Sequence, residues 1–266
     1  LEIHYDGDLP ARSGLGSSSS FSVGLIHALS ALCNRTIDRR KLAREAIHIE
    51  QNIIGENVGS QDQVNAAYGG FNRISFRQNG SIDVEPLPIS DQRLKSLNDN
   101  LMLFYTGIMR TAELISSSYA RNTRENTEQL QKLYGMVDDA ATLLLDRSSL
   151  DDFGYLLHET WLQKQQLSEL VSNDKVNEIY KTAREAGALG GKLCGAGGGG
   201  MILLYVPKKY RLDVRNALTS LLYVPFRFSD KGSEVIFSDN QARYKRDDLM
   251  STGVAQPFIE LSDLKL

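Results

Sequence analysis

The sequence is short of the residues that mark several protein classes. Two cysteines in 266 residues, Cys33 and Cys194, are too few and too far apart for a disulfide framework or a cysteine zinc cluster. That scarcity points to a reducing, cytoplasmic setting. Positive charge is not in surplus either: 30 Lys and Arg stand against 33 Asp and Glu, a formal net charge of −3. Neither nucleic acid nor an anionic membrane is therefore an expected partner. No apolar run approaches the ~20 residues needed to cross a bilayer. There is no internal repeat. No initiator methionine precedes Leu1 and no signal-peptide pattern follows it, so the chain is expected to be a piece without its natural N-terminus. What is present, 41% hydrophobic and 24% charged residues, suits a globular protein of one large or two small domains with a real core.

Alternation of Leu1, Ile3 and Tyr5 against Glu2, His4 and Asp6 predicts an opening strand. After a glycine-serine loop, Phe21, Leu25, Leu29 and Leu32 recur at helical spacing and predict a helix over 18–33. Further helices are expected over 38–54 and 62–68, broken by Gly55, Gly59 and Gly69-Gly70. Strands at 71–76 and 81–87 flank Asn79-Gly80, a hairpin signal. Pro88 and the polar stretch to Asn100 read as a boundary, dividing residues 1–88 from 89–266. A short buried strand is expected at 101–105, then long helices to about residue 188, with Leu130, Leu133, Val137, Ala141 and Leu144 on one face. The apolar run 201–206, a helix near 212–222 and a strand near 224–228 follow, and the segment from Gln241 has no clear assignment.

Pro10-Ala11-Arg12-Ser13-Gly14-Leu15-Gly16-Ser17-Ser18-Ser19-Ser20 joins strand to helix. Glycines let a backbone turn tightly and approach a ligand without a Cβ in the way. Serine hydroxyls and unpaired amides at a helix start face one point, where the helix dipole favours negative charge. This is how a chain holds a polyphosphate, although a capped helix after a flexible turn has the same outline. No Gly-Lys-Ser/Thr follows, which excludes a Walker A loop. Ser18 stands where a hydroxyl could be offered to a phosphate-bridging Mg²⁺.

On the second helix Ala43, Ile47, Glu50 and Ile54 share a stripe. A carboxylate on such a face is costly unless paired with a basic residue or bound to a cation. Asp62 follows twelve residues later within Gly59-Ser60-Gln61-Asp62-Gln63. It could cap the next helix, or accept a substrate hydroxyl proton if it reaches the glycine loop. A second glycine cluster, Gly195-Ala196-Gly197-Gly198-Gly199-Gly200, spells G-x-G-x-x-G. A dinucleotide fold needs a strand before and a helix after this motif; here the expected order is reversed, which leaves close backbone approach to a ligand or another loop.

Pro-x-x-x-Gly-Leu-Gly-Ser-Ser, Gly-x-x-Asp-Gln and Gly-Ala-Gly-Gly-Gly-Gly before a strand, in this order, resemble the GHMP kinases over roughly residues 1–228. Gly59-Ser60-Gln61-Asp62-Gln63, Tyr68-Gly69-Gly70-Phe71 and Thr106-Gly107-Ile108-Met109-Arg110 look most like the branch acting on D-glycero-D-manno-heptose 7-phosphate. The resemblance implies an α+β, two-lobed fold, with an N-terminal mixed sheet and helices and a C-terminal antiparallel sheet backed by helices. It implies ATP held by Gly14, Leu15, Gly16, Ser17, Ser18 and Ser19, with Mg²⁺ on Ser18 and Glu50. Asp62 would orient or deprotonate the sugar hydroxyl, while Gly197, Gly198 and Arg110 would contribute to the substrate site. The partner implied is a small sugar or sugar phosphate, and a homodimer is left open. Other anomeric sugar kinases, or a catalytically silent binding protein of the same fold, remain alternatives. The family's first motif is absent, and Arg12 stands in the phosphate loop where a small residue is usual.

Overall fold

In a computed structural model of the chain, the structure describes residues 1–7, 13–108, 115–118 and 125–238. Residues 1–234 form one compact unit. Residues 235–266 form a second, of which 235–238 adopt no regular structure.

Three helices, α1 (Ser17–Leu32), α2 (Arg39–His48) and α3 (Gln61–Tyr68), pack around Val23, Leu42, Ala43, Ala46, Val64 and Ala67. Asp38 starts α2 by accepting a hydrogen bond from the Lys41 amide at 2.8 Å. The stripe expected on α1 is not the buried one. Ser19 and Val23 face the bundle, while Phe21, Leu29 and Leu32 are exposed. The strands β1 (Asn72–Phe76) and β2 (Ile82–Pro86) pair antiparallel, with Ile74 opposite Val84, and Gly80 supplies the left-handed φ of +79° that their turn requires.

Among the described residues this antiparallel pair takes the place of the mixed sheet expected in the N-terminal part. Residues 1–7, expected as a strand, are not paired with any described strand, and Leu1 is 88% exposed. Alternation alone does not make a strand without a neighbour to complete its ladder. The polar stretch after Pro88 is a helix, α4 (Asp91–Asn100), started by Ser90 and anchored through the buried Leu97.

The larger sheet is entirely antiparallel, in the order β4 (Gly190–Leu193), β5 (Met201–Tyr205), β3 (Leu101–Tyr105) and β6 (Leu222–Val224). Leu203 lies opposite Leu103, and Tyr223 opposite Phe104. The helices α6 (Asp151–Gln165), α7 (Asp174–Glu185) and α8 (Arg211–Ala217) share with it a core that includes Phe104, Trp161, Val176, Leu193 and Ile202, while α5 (Thr127–Leu145) packs on α6 and buries Leu144 with Leu97, Leu101 and Tyr205. The helix expected to reach residue 222 stops at Ala217, because residues 222–224 are drawn into pairing with β3. Of the face expected on α5, only Leu144 is fully buried; Leu130 and Val137 are exposed. No described helix is long and apolar enough to cross a membrane.

Candidate functional site

The first glycine loop begins at a buried Ser13 and bends at Gly14 (φ +85°) and Gly16 (φ +68°), left-handed conformations that favour glycine. Gly16 also occupies the cap position of α1. It has no side chain to offer the helix amides, and the first turn carries no acidic residue. The N-terminal amides and the positive end of the helix dipole are thus left for an anion. Pro10 and Arg12 lie outside the described residues.

Gly16 fulfils a second requirement. A Cβ on it would stand 3.0 Å from Cγ and 3.1 Å from Oδ2 of Asp62. The carboxylate of Asp62, in the first turn of α3, therefore rests against the loop at the start of α1. Asp62 is exposed, so a substrate hydroxyl can reach it.

Glu50 sits where α2 widens into a π-helical turn, Ile49–Ile54. The i→i+5 winding of such turns shifts residues off an α-helical stripe. Ile54, expected on the same face as Glu50, is accordingly 60% exposed, whereas Glu50 is 1% exposed. Gln51 of the same turn donates through Nε2 to the Val58 carbonyl at 2.8 Å and to Ser60 Oγ at 3.1 Å, bracing the loop that leads to Asp62.

The Glu50 carboxylate is held asymmetrically. Oε2 accepts from Ser19 Oγ at 3.0 Å and from Gln63 Nε2 at 2.6 Å, while Oε1 accepts no hydrogen bond from a described residue. The serine in contact with Glu50 is thus Ser19; Ser18, the residue expected beside it, is exposed. Consecutive residues of an α-helix point about 100° apart, which is why Ser19 and not its neighbour meets the Glu50 carboxylate. Neither the Ser19 contact nor that of Gln63 follows from the sequence pattern. One signal existed: Gln63 shares the buried face of α3 with Val64 and Ala67, an unusual place for an amide.

Among the described residues no group of three or more His, Cys, Asp or Glu could enclose a metal. A buried carboxylate with one oxygen unmatched by any described donor is a ligand of the kind Mg²⁺ takes, one or two carboxylates together with substrate phosphates. Glu50 therefore fits that ion.

The second glycine loop is a hairpin connection between β4 and β5, closed by the Cys194 amide on the Met201 carbonyl at 2.9 Å. A strand thus lies on both sides of the motif, with no helix following directly, which again excludes a dinucleotide turn. Gly200 is its point of contact with the first loop. A Cβ there would fall 2.3 Å from the Ser13 carbonyl oxygen, which accepts from the Met201 amide at 2.9 Å. Thr106, at the end of β3, grips the Gly200 carbonyl through its amide at 2.9 Å and its hydroxyl at 2.8 Å. Gly197 and Gly198 lean elsewhere, against Val171, whose carbonyl accepts from the Gly198 amide at 2.8 Å. Arg110 lies outside the described residues.

A cavity of about 420 Å³ lined by Asn98, Asp99, Lys208, Arg211, Tyr223 and Phe226 belongs to other elements. Two of its cations are already engaged. Lys208 pairs with Asp99 at 3.0 Å, and Arg211 donates to the Asp99 and Leu101 carbonyls at 2.6 and 2.9 Å. Hydrogen bonds from Lys95 and Lys208 hold the Asp99 carboxyl down at about 2.

An uncapped helix start, an exposed carboxylate against its glycine and a buried carboxylate with one unmatched oxygen are features that a phosphate-handling class of site would use. Comparison with known proteins narrows the class. Residues 1–70 match the family model described as GHMP kinases N terminal domain, and residues 141–224 match GHMP kinases C terminal. The chain belongs to the GHMP kinase family.

It is 34% identical over 216 residues to a D-glycero-alpha-D-manno-heptose 7-phosphate kinase of Campylobacter jejuni, covering 80% of this chain and 63% of that protein. It is 27% identical over 254 residues to the galactokinase of Pyrococcus furiosus, covering 85% of this chain and 70% of the relative. Among solved structures, a D-glycero-D-manno-heptose 1-phosphate kinase from Bacteroides thetaiotaomicron matches with a TM-score of 0.68 at 27% identity, over 87% of this chain and 66% of that one. The chain thus spans less than two thirds of the length of the Campylobacter protein.

Proposed function

We propose that this chain carries the phosphoryl-transfer site of an ATP-dependent sugar kinase. Its substrate on this reading is D-glycero-D-manno-heptose 7-phosphate, phosphorylated at the anomeric hydroxyl to the 1,7-bisphosphate. Residues 1–88 form the ATP-binding part and residues 89–266 the second. The observation that carries the reading is the Asp62 carboxylate lying against Gly16, at the amides that would receive the phosphates. Phosphoryl transfer depends on positioning and charge neutralisation more than on covalent help, and these residues supply both.

The loop from Gly14 to Ser19 would bind the phosphates through backbone amides. Asp62 would orient the sugar hydroxyl and take its proton. The hydroxyl oxygen bonds to the γ-phosphorus as the bond to the β–γ bridging oxygen breaks, and ADP leaves. Glu50, with Ser18 as the resemblance implies, would hold Mg²⁺, which when bound neutralises charge on the phosphate oxygens. Arg110 is the proposed grip on the sugar's own phosphate, because a guanidinium meets phosphate through two parallel hydrogen bonds.

Two measurements test this. Asp62→Asn should lower turnover by about 10²–10⁴-fold while leaving ATP affinity nearly intact, the range found when a positioned proton acceptor is removed. An assay against a panel of sugars and sugar phosphates, with phosphorus NMR locating the new phosphate, should give the 1,7-bisphosphate. Turnover of free galactose or fucose in preference to any heptose phosphate would assign the chain to another anomeric kinase. Wild-type turnover in Asp62→Asn would remove Asp62 from the site.

A further inference from the structure

We infer that Gln63 is a positioning residue for the cation, the inner half of a two-donor clamp that leaves one oxygen of Glu50 for the metal. The inference rests on the kinase reading and goes beyond it, because it gives a role to a residue next to Asp62 that the reaction itself does not use.

The argument begins with burial. Glu50 is 1% exposed and Gln63 is fully buried. A carboxylate out of water costs several kcal/mol unless its lone pairs are used. Here they are used unevenly, with both donors on Oε2 and none of the described donors on Oε1. The amide can take only one orientation against a carboxylate. Its nitrogen donates to Glu50, since the reversed amide would set oxygen against oxygen.

Gln63 therefore does two things at once. At 2.6 Å its Nε2 fixes the plane of the carboxylate from α3, while Ser19 does the same from α1. Its own Oε1 is buried and accepts from no described residue. Two acceptors, Glu50 Oε1 and Gln63 Oε1, are thus left unmatched within one hydrogen-bonded group. Buried acceptors are rarely left so, and a cation held by Glu50 Oε1 would match the carboxylate and supply the missing positive charge.

The sequence placement follows from the chemistry. Asp62 and Gln63 are consecutive on α3, so they point about a quarter-turn or more apart. Asp62 is exposed beside Gly16, and Gln63 turns inward to Glu50. One short helix thereby sets the hydroxyl-facing carboxylate and the metal-facing carboxylate in a fixed relation. Partners that orient a metal ligand typically govern metal affinity by 10–100-fold (about that range) when removed.

The test uses the full chain, Mn²⁺ as the probe ion and a non-hydrolysable imido analogue of ATP. Free Mn²⁺ is followed by electron paramagnetic resonance. Gln63→Met keeps the side-chain length and removes both hydrogen-bonding groups. Metal affinity in the nucleotide complex should fall by about tenfold or more, whereas affinity for the analogue in EDTA should not change. Ser19→Ala, a smaller truncation that guards against misfolding of the methionine variant, should shift metal affinity in the same direction.

Unchanged Mn²⁺ affinity in both variants, with the parent chain binding normally, overturns the clamp alone. Equal loss of nucleotide affinity with and without metal also overturns it, since that marks a packing role. A parent chain that binds no Mn²⁺-nucleotide complex at all overturns the kinase reading, and the clamp with it.

Discussion

Gly16 answers to two constraints that a single methyl group would break. Its φ of +68° is costly for any residue with a Cβ, by about 1–2 kcal/mol. The added carbon would also press on the Asp62 carboxylate at 3.0 Å. Gly16→Ala should therefore lower stability by about that amount in chemical denaturation, and lower ATP affinity as well, a pair of effects that calorimetric titration separates. Single residues were also the scale at which the sequence was most and least informative. Glu50 could be singled out because a carboxylate on an apolar helical stripe needs a reason, and Asp62 because it shares a short motif with turn glycines. Ser19 and Gln63 could not. Which of four consecutive serines turns inward depends on how α1 rolls against α2 and α3, and that roll is set by tertiary packing.

At the scale of elements, close approach decides the architecture of the larger sheet. A Cβ on Gly190 of β4 would fall 1.9 Å from the Gly154 carbonyl oxygen of α6, so helix and strand touch backbone to backbone. Gly190→Ala should cost about 3 kcal/mol or more, at the upper end for overpacked cores. Gly135, within α5, has nothing within 4 Å of the corresponding position. Gly135→Ala should instead stabilise by about 0.5–1 kcal/mol, the usual difference between glycine and alanine inside a helix. Paired urea titrations would show the two opposite signs.

The packing of α6 on α7 has a pH signature. His158 Nδ1 and the Tyr180 hydroxyl lie 2.8 Å apart, and burial pushes the imidazole below its ordinary value of 6.5, with the Arg184 charge acting the same way. Burial likewise raises the Tyr180 hydroxyl to about 12. The unfolded chain then takes up a proton on His158 at a pH where the folded chain does not. The stability that the neutral His158 contributes is fully present above 6.5 and is lost as the pH falls below it. His158→Gln, which keeps a polar partner for Tyr180 without titrating, should lessen the loss of melting temperature between pH 7 and pH 5.

Elements were legible where their signal was local. The hairpin at Asn79-Gly80 and the helices over 17–32 and 61–68 formed close to where periodicity put them. β4 escaped notice because Gly190-Gly191-Lys192-Leu193 has almost no strand-forming residues; it is a strand because glycine lets α6 approach it. The π-helical turn at Ile49–Ile54 was equally hidden, since an extra residue in a turn leaves no mark on composition.

At the scale of the whole molecule, the order of three weak motifs carried more information than any one of them, and the family match agrees with that order. The contact between the two glycine loops could not be read from the sequence, because it is made by backbone atoms. Met201 and Gly200 hold Ser13, and Thr106 holds Gly200, so three distant stretches meet at one carbonyl-to-amide network. Trp161 is 1% exposed in the core that backs the sheet. Trp161→Ala should cost about 3–5 kcal/mol, measurable as a lowered denaturation midpoint.

The hold of Gly200 and Met201 on Ser13 has a consequence for biosynthesis. The first glycine turn leaves the ribosome well before the backbone that pins it, which is translated almost two hundred residues later. A nascent chain arrested before Gly200 would display the turn without its anchor. The turn should reach its final geometry only once the second hairpin closes.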